Sequence, residues 1–205
     1  LLPGLGLFSL MFSSAASTPS SPRLDLAGDW HYRLDSAAGT TGDARRAPFA
    51  ATLPLPGSLE QQRIGNPVTV DTAWTGGIFD RSYFTSPAYA AYREPGNVKV
   101  PFWLQPETHY VGRAIFQRTV DLPADWTGRR IVLTLERPHW KTRVWWNDRL
   151  IGTGDSLSTA HRFEIGTDLA PGPHRLTIEV DNTLDPDIGE NSHSVSDHTQ
   201  GNWNG

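Results

Sequence analysis

The chain has 205 residues, 38% of them hydrophobic, which is enough for one sizeable domain with its own core. A net charge of −4 without any run of five like charges argues against nucleic acid or an anionic membrane as the principal partner. With no cysteine, neither a disulfide framework nor a thiolate zinc site can form.

Residues 1–23, LLPGLGLFSLMFSSAASTPSSPR, are apolar and then small and polar. They resemble the apolar core of a secretory signal, with a cut after Ala16 preceded by Ser14, and predict export to the periplasm or the cell exterior. A disordered N-terminal segment is the alternative. The apolar part is too short and too glycine-rich to predict a membrane span. The missing initiator methionine and the abrupt C-terminus lead us to expect a fragment of a longer protein.

From Leu24 the pattern has period two. In LDLAGDWHYRLD, residues Leu24, Leu26, Trp30, Tyr32 and Leu34 share one side of an extended strand, with Gly28 as a bend or bulge. Asp71 to Glu107 reads as a long connection, too aromatic for disorder and so expected to pack on something. RAIFQRTVDLP gives a strand with Ala114, Phe116 and Val120 on one face, and RRIVLTLER another with Ile131, Leu133 and Leu135 together. TRVWWNDRLIGTG predicts a hairpin turning at Asn147 and Asp148, both tolerant of positive φ. HRFEIG is a short strand, and PGPHRLTIEVDN a turn and a strand with Leu176, Ile178 and Val180 inward. No segment has a helical period over ten residues. Strands recurring about every dozen residues predict an all-β sandwich or jelly roll.

The last fifteen residues, NSHSVSDHTQGNWNG, are dense in side chains that donate and accept hydrogen bonds. Sugars present hydroxyls to such groups and C–H faces to aromatic rings. Asn191, Ser192, His193, Asp197, His198, Gln200, Asn202 and Asn204 lie here beside Trp203. Loop residues that cap strand ends are the competing reading. His193, Asp197 and His198 lack the helical setting that would favour a metal site, so none is predicted. Asp181, Asp185, Asp187 and Glu190 do not fit a calcium loop and read as a solvated acidic turn. Nothing resembles a nucleophile elbow. Trp30, Trp126 and Trp146 fall at strand positions or strand entrances and are expected in the core or its rim. Trp74, Trp103 and Trp203 fall in loops and are candidates to face a ligand.

Five phrases, in order, carry a resemblance: LAGDWHYRLD, LPLPGSLEQQRIGNP, HYVGRAIFQRTVDLPADWTGRRIVLTLERPHWKTRVWWNDRLIGTGDSLSTAHRFEI, PGPHRLTIEVDN and NSHSVSDHTQGNWNG. Together, over about residues 24–205, they resemble the N-terminal sugar-binding domain of glycoside hydrolase family 2, which contains β-galactosidases, β-glucuronidases and related exo-acting enzymes. The resemblance implies a galactose-binding-like jelly-roll sandwich, here incomplete before its last strand, followed by immunoglobulin-like and TIM-barrel domains. The two catalytic glutamates of that family lie on the barrel, so no catalytic residue is expected in this chain. It further implies that the loop matching Ser196 to Gly205 reaches the barrel mouth. The substrate-binding candidates are then Asp197, foremost, with His198, Asn202, Trp203 and Asn204. No cofactor is required, although some relatives hold an alkali cation beside the matching acid. The Trp146-Asn147-Asp148 sequence departs from the family's usual small or aliphatic residue followed by Asn-Gly. A stand-alone carbohydrate-binding module is the alternative function.

Overall fold

The structure, a computed structural model, describes residues 21–35, 48–49, 51–72, 82–100 and 106–183. Among them ten strands form: β1 Gly28–Asp35, β2 Ala51–Leu55, β3 Asn66–Pro67, β4 Thr108–His109, β5 Arg113–Leu122, β6 Ile131–Leu135, β7 Lys141–Trp146, β8 Arg149–Gly154, β9 His161–Gly166 and β10 Gly172–Asp181. Six make one antiparallel sheet in the order β2-β1-β5-β10-β7-β8, while β6 pairs with β9 and β3 with β4. The only α-helix among the described residues is the single turn Ser82–Thr85. The chain is an all-β sandwich, as the periodicity predicts.

Cross-strand pairs place one hydrophobic row on one face of the large sheet. Tyr32 opposes Phe116, Phe116 opposes Ile178, and Ile178 opposes Val144. Trp30, Leu53, Phe116, Leu176, Ile178 and Val144 from this face share one core with Leu133 of β6 and with Phe163 and Ile165 of β9. The β6–β9 pair is therefore the second layer. Ile115 and Thr177 on the opposite face are also almost fully buried, so the two central strands are covered on both sides around these residues, while Thr119, Asp121 and Arg175 on that face are exposed.

The expected strands form, with three adjustments. β1 starts at Gly28, whose φ of +118° suits glycine and breaks the alternation. Leu26 still packs against the core, but Leu24 does not join it and is 40% exposed. Strands β2, β3 and β4 have no expected counterpart: Pro54 disguises β2, which tolerates it because β2 is an edge. At the β7–β8 hairpin only Asn147 takes a positive φ, +54°, and Asp148 does not. Asn147 is held there by its neighbours. Its Oδ1 accepts from the Arg175 backbone N–H at 2.9 Å, and its own N–H donates to the Arg175 carbonyl at 2.7 Å.

The layers meet closely at β8 and β9. A Cβ on Gly154 would lie 2.7 Å from Nδ1 of His161. His161 is buried, with Nδ1 2.7 Å from the Thr142 hydroxyl and Nε2 2.8 Å from the Ser156 carbonyl. It is a structural histidine.

Within the long connection, Tyr83 and Tyr89 pair their rings at 5.1 Å, and Arg93 donates to the carbonyls of Tyr83 and Ser86. That stretch packs at least on itself. Trp30 and Trp146 are buried and Trp126 lies against the core, as expected for strand and rim positions. Trp74, Trp103 and residues 1–20 lie outside the described residues. No helix among the described residues is long and apolar enough to cross a membrane.

Candidate functional site

The candidate site begins where the chain leaves β10. Asn182, the next residue, is a polar side chain at the rim of the sandwich, and it serves as a clamp. Its Oδ1 accepts from Gly112 N–H at 2.7 Å and its Nδ2 donates to the Tyr110 carbonyl at 2.8 Å. Its backbone N–H donates to the Gly112 carbonyl at 3.3 Å. The side chain thus extends the β5–β10 ladder by one step beyond the Asp181–Arg113 pair.

Local sequence explains the fit. Gly112 has a φ of +143°, and a Cβ there would lie 2.9 Å from the Tyr110 hydroxyl, so glycine alone suits the position. Tyr110 is buried and donates its hydroxyl to the Arg113 carbonyl at 2.8 Å. Burial pushes its phenol up to about 12, so it remains a donor well into the alkaline range. Arg113 in turn donates to the Asp35 carboxylate at 2.7 Å, tying the end of β1 to the start of β5. Asp181 accepts from the Thr183 N–H at 2.9 Å. This part of the expected acidic turn makes a local backbone bond.

The described residues of the rim tie the end of β10 to the Tyr110–Gly112 turn and include no paired nucleophile and base. The five substrate-binding candidates, Asp197, His198, Asn202, Trp203 and Asn204, lie outside the described residues, as do Asp185, Asp187, Glu190 and His193. Among the described residues no group of three His, Asp or Glu side chains is placed to hold a metal ion. Sequence reasoning missed the clamp itself. Its signal is present in two of the phrases quoted above, HYVGR and EVDN, which become neighbours only once β5 and β10 pair.

No family model and no curated relative matches the sequence. Solved structures do match the fold. A β-glucuronidase from Faecalibacterium prausnitzii superposes with a TM-score of 0.51 at 24% identity, covering 79% of this chain and 21% of that one. A Ruminococcus gnavus β-glucuronidase in complex with D-glucaro-δ-lactam gives 0.51 at 17% identity, covering 78% of this chain and 22% of its own. The chain thus spans about a fifth of the length of the solved structures it matches, and its sandwich has the fold of one portion of bacterial β-glucuronidases.

Proposed function

We propose that this sandwich is the substrate-positioning, non-catalytic domain of an exo-acting β-glycosidase of glycoside hydrolase family 2, β-galactosidase-like or β-glucuronidase-like. The observation that carries the reading is the fold match to a fifth of a β-glucuronidase, over nearly four-fifths of this chain. The five ordered phrases support it. In this reading the parent protein also contains an immunoglobulin-like domain and a barrel, and is exported. The barrel supplies both catalytic carboxylates, about 5 Å apart as retaining hydrolysis requires. An alkali cation beside Asp197 belongs to the resemblance alone, and no step depends on it.

The task of this chain is then to hold the sugar. Asp197 accepts hydrogen bonds from two hydroxyls of the terminal residue, and such charge-assisted bonds exceed neutral ones in strength. His198, Asn202 and Asn204 complete the polar contacts, and Trp203 offers a stacking face. Removing Asp197 should weaken transition-state binding by about 2–4 kcal/mol, the scale of a lost preorganised polar contact. A carboxylate that only capped a turn would cost about 1 kcal/mol of stability and nothing in catalysis. Asp197→Ala in the full-length enzyme distinguishes the two when kcat/KM and melting temperature are measured together. A large kinetic loss with an unchanged melt supports the proposal, and unchanged kinetics with a lowered melt defeats it. The chain alone should hydrolyse no nitrophenyl glycoside above background.

A further inference from the structure

The β7–β8 turn carries a chain of hydrogen bonds whose directions are all fixed, and Asn147 starts it. Its Oδ1 takes the Arg175 N–H at 2.9 Å, and its own N–H reaches the Arg175 carbonyl at 2.7 Å. The amide therefore presents its Nδ2 hydrogens on the other side, where Nδ1 of His174 lies 3.2 Å away. That nitrogen has to accept. Across the ring, Nε2 lies 2.7 Å from the Ala170 carbonyl, which has no hydrogen to give, so the ring proton sits on Nε2. The network thus accommodates one form of the imidazole, the neutral tautomer with a lone pair on Nδ1.

A second proton on this ring has to go to Nδ1, where it meets an N–H donor. Flipping the Asn147 amide gives no relief, because its NH2 would then face the Arg175 N–H. The ring itself has reasons to stay. Its bond to Ala170 becomes charge-assisted, and the Trp146 indole, stacked on it at 4.9 Å, attracts a cation. The contact that yields is therefore the one to Asn147. That residue holds a left-handed φ of +54°, and a planar amide that swings away from Nδ1 also draws Oδ1 off the Arg175 N–H. The charged groups nearby are engaged elsewhere. Arg118 of β5 shares the face of His174 but donates to the Leu26 and Ala27 carbonyls, and Arg149 of β8 donates to the Ile165 carbonyl. Arg175 lies on the opposite face and pairs with Asp148 at 2.6 Å, His31 lies on that opposite face too, and Asp168 accepts from the Thr167 hydroxyl at 3.5 Å. Among the described residues, no carboxylate bonds the His174 ring.

We propose that His174 and Asn147 form an acid-sensitive latch. Protonation of His174 at Nδ1 releases the Asn147 side chain and loosens the β7–β8 turn, while the ring stays on Trp146 and Ala170. The imidazole is the sensor and the turn is the part that moves. The inference stands on this hydrogen-bond chain and is independent of the carbohydrate reading.

The test follows the 205-residue chain by NMR from about pH 8 to about pH 5, the span in which imidazoles ordinarily gain a proton. Ring nitrogen shifts should place the His174 proton on Nε2 at the upper end, and a proton on Nδ1 there overturns the proposal. The Asn147 side-chain amide signals should move together with those of the His174 ring. Protection of the Arg175 N–H against hydrogen exchange, corrected for the intrinsic rate, should fall about fivefold, the equivalent of one lost hydrogen bond. His174→Phe keeps a ring beside Trp146 without a titrating nitrogen and should abolish that fall; an undiminished fall overturns the assignment of His174 as sensor. Asn147→Asp, which tolerates the positive φ, should reverse the response. Its carboxylate accepts from the imidazolium, so the Arg175 N–H becomes better protected near the acid end. A fall of the original sign in Asn147→Asp overturns the latch. Should either variant fail to fold, the wild-type chain still decides: Asn147 signals that ignore the titration of His174 overturn the coupling.

Discussion

Two polar residues, the half-buried Asn182 and the buried Glu179, show how single side chains set the behaviour of the rim and the sheet. Asn182 serves two backbone groups of the Tyr110–Gly112 turn. Asn182→Ala strands both, and at about 1 kcal/mol for each lost bond the destabilisation should be about 2 kcal/mol. A denaturant midpoint that falls at constant slope would register it, and an unmoved midpoint would show that water replaces the amide. Glu179 behaves differently. It is 5% exposed on the outer face of β10, 3.3 Å from Arg143. Burial raises its carboxyl above the usual range despite the arginine nearby. The folded chain therefore keeps this proton at pH values where the unfolded chain has released it, so stability declines as pH rises from the ordinary carboxylate value through the folded one. Glu179→Gln should flatten that decline and leave the neutral-pH melt no lower. Arg143 is more than half exposed and can be solvated once its partner is gone. A variant that loses most stability at neutral pH would show that the attraction to Arg143 outweighs burial.

At the level of elements, the close approach of β8 to β9 is the most demanding contact. A methyl at position 154 would press on the ring of His161, itself fixed by Thr142 and Ser156. Gly154→Ala should cost about 1–3 kcal/mol by overpacking, read as a lowered melting temperature. An unchanged melt would mean that β8, an edge strand, simply moves aside. Elements were also where the sequence was most and least legible. β5 and β10 announce themselves because Ala114, Phe116 and Val120, then Leu176 and Ile178, fall at period-two positions and are buried as expected. β2 stays hidden because Pro54 argues against a strand until its edge position is known. The clamp was illegible for a related reason. Tyr110 and Asn182 are ordinary polar residues far apart in sequence, and pairing register alone brings them together. Asp197 and its neighbours were singled out by composition and resemblance, and they lie outside the described residues.

For the molecule as a whole, strand direction decides how the rim at Asn182 relates to the rest. β1 and β10 both run antiparallel to β5, which lies between them, and so run parallel to each other. The chain enters the sheet at Gly28, near one end of β5, and leaves at Asn182, near the other. Tension applied between these two points pulls β1 and β10 in opposite directions along their length. The β1–β5 and β5–β10 ladders are then loaded in shear, with all their hydrogen bonds strained together, rather than opened one pair at a time. A sheet gripped in this way resists forced opening through its unfolding rate more than through its equilibrium stability. Any segment rooted at Asn182 is mounted on a mechanically stiff strut: a pull on it is borne by three central strands at once.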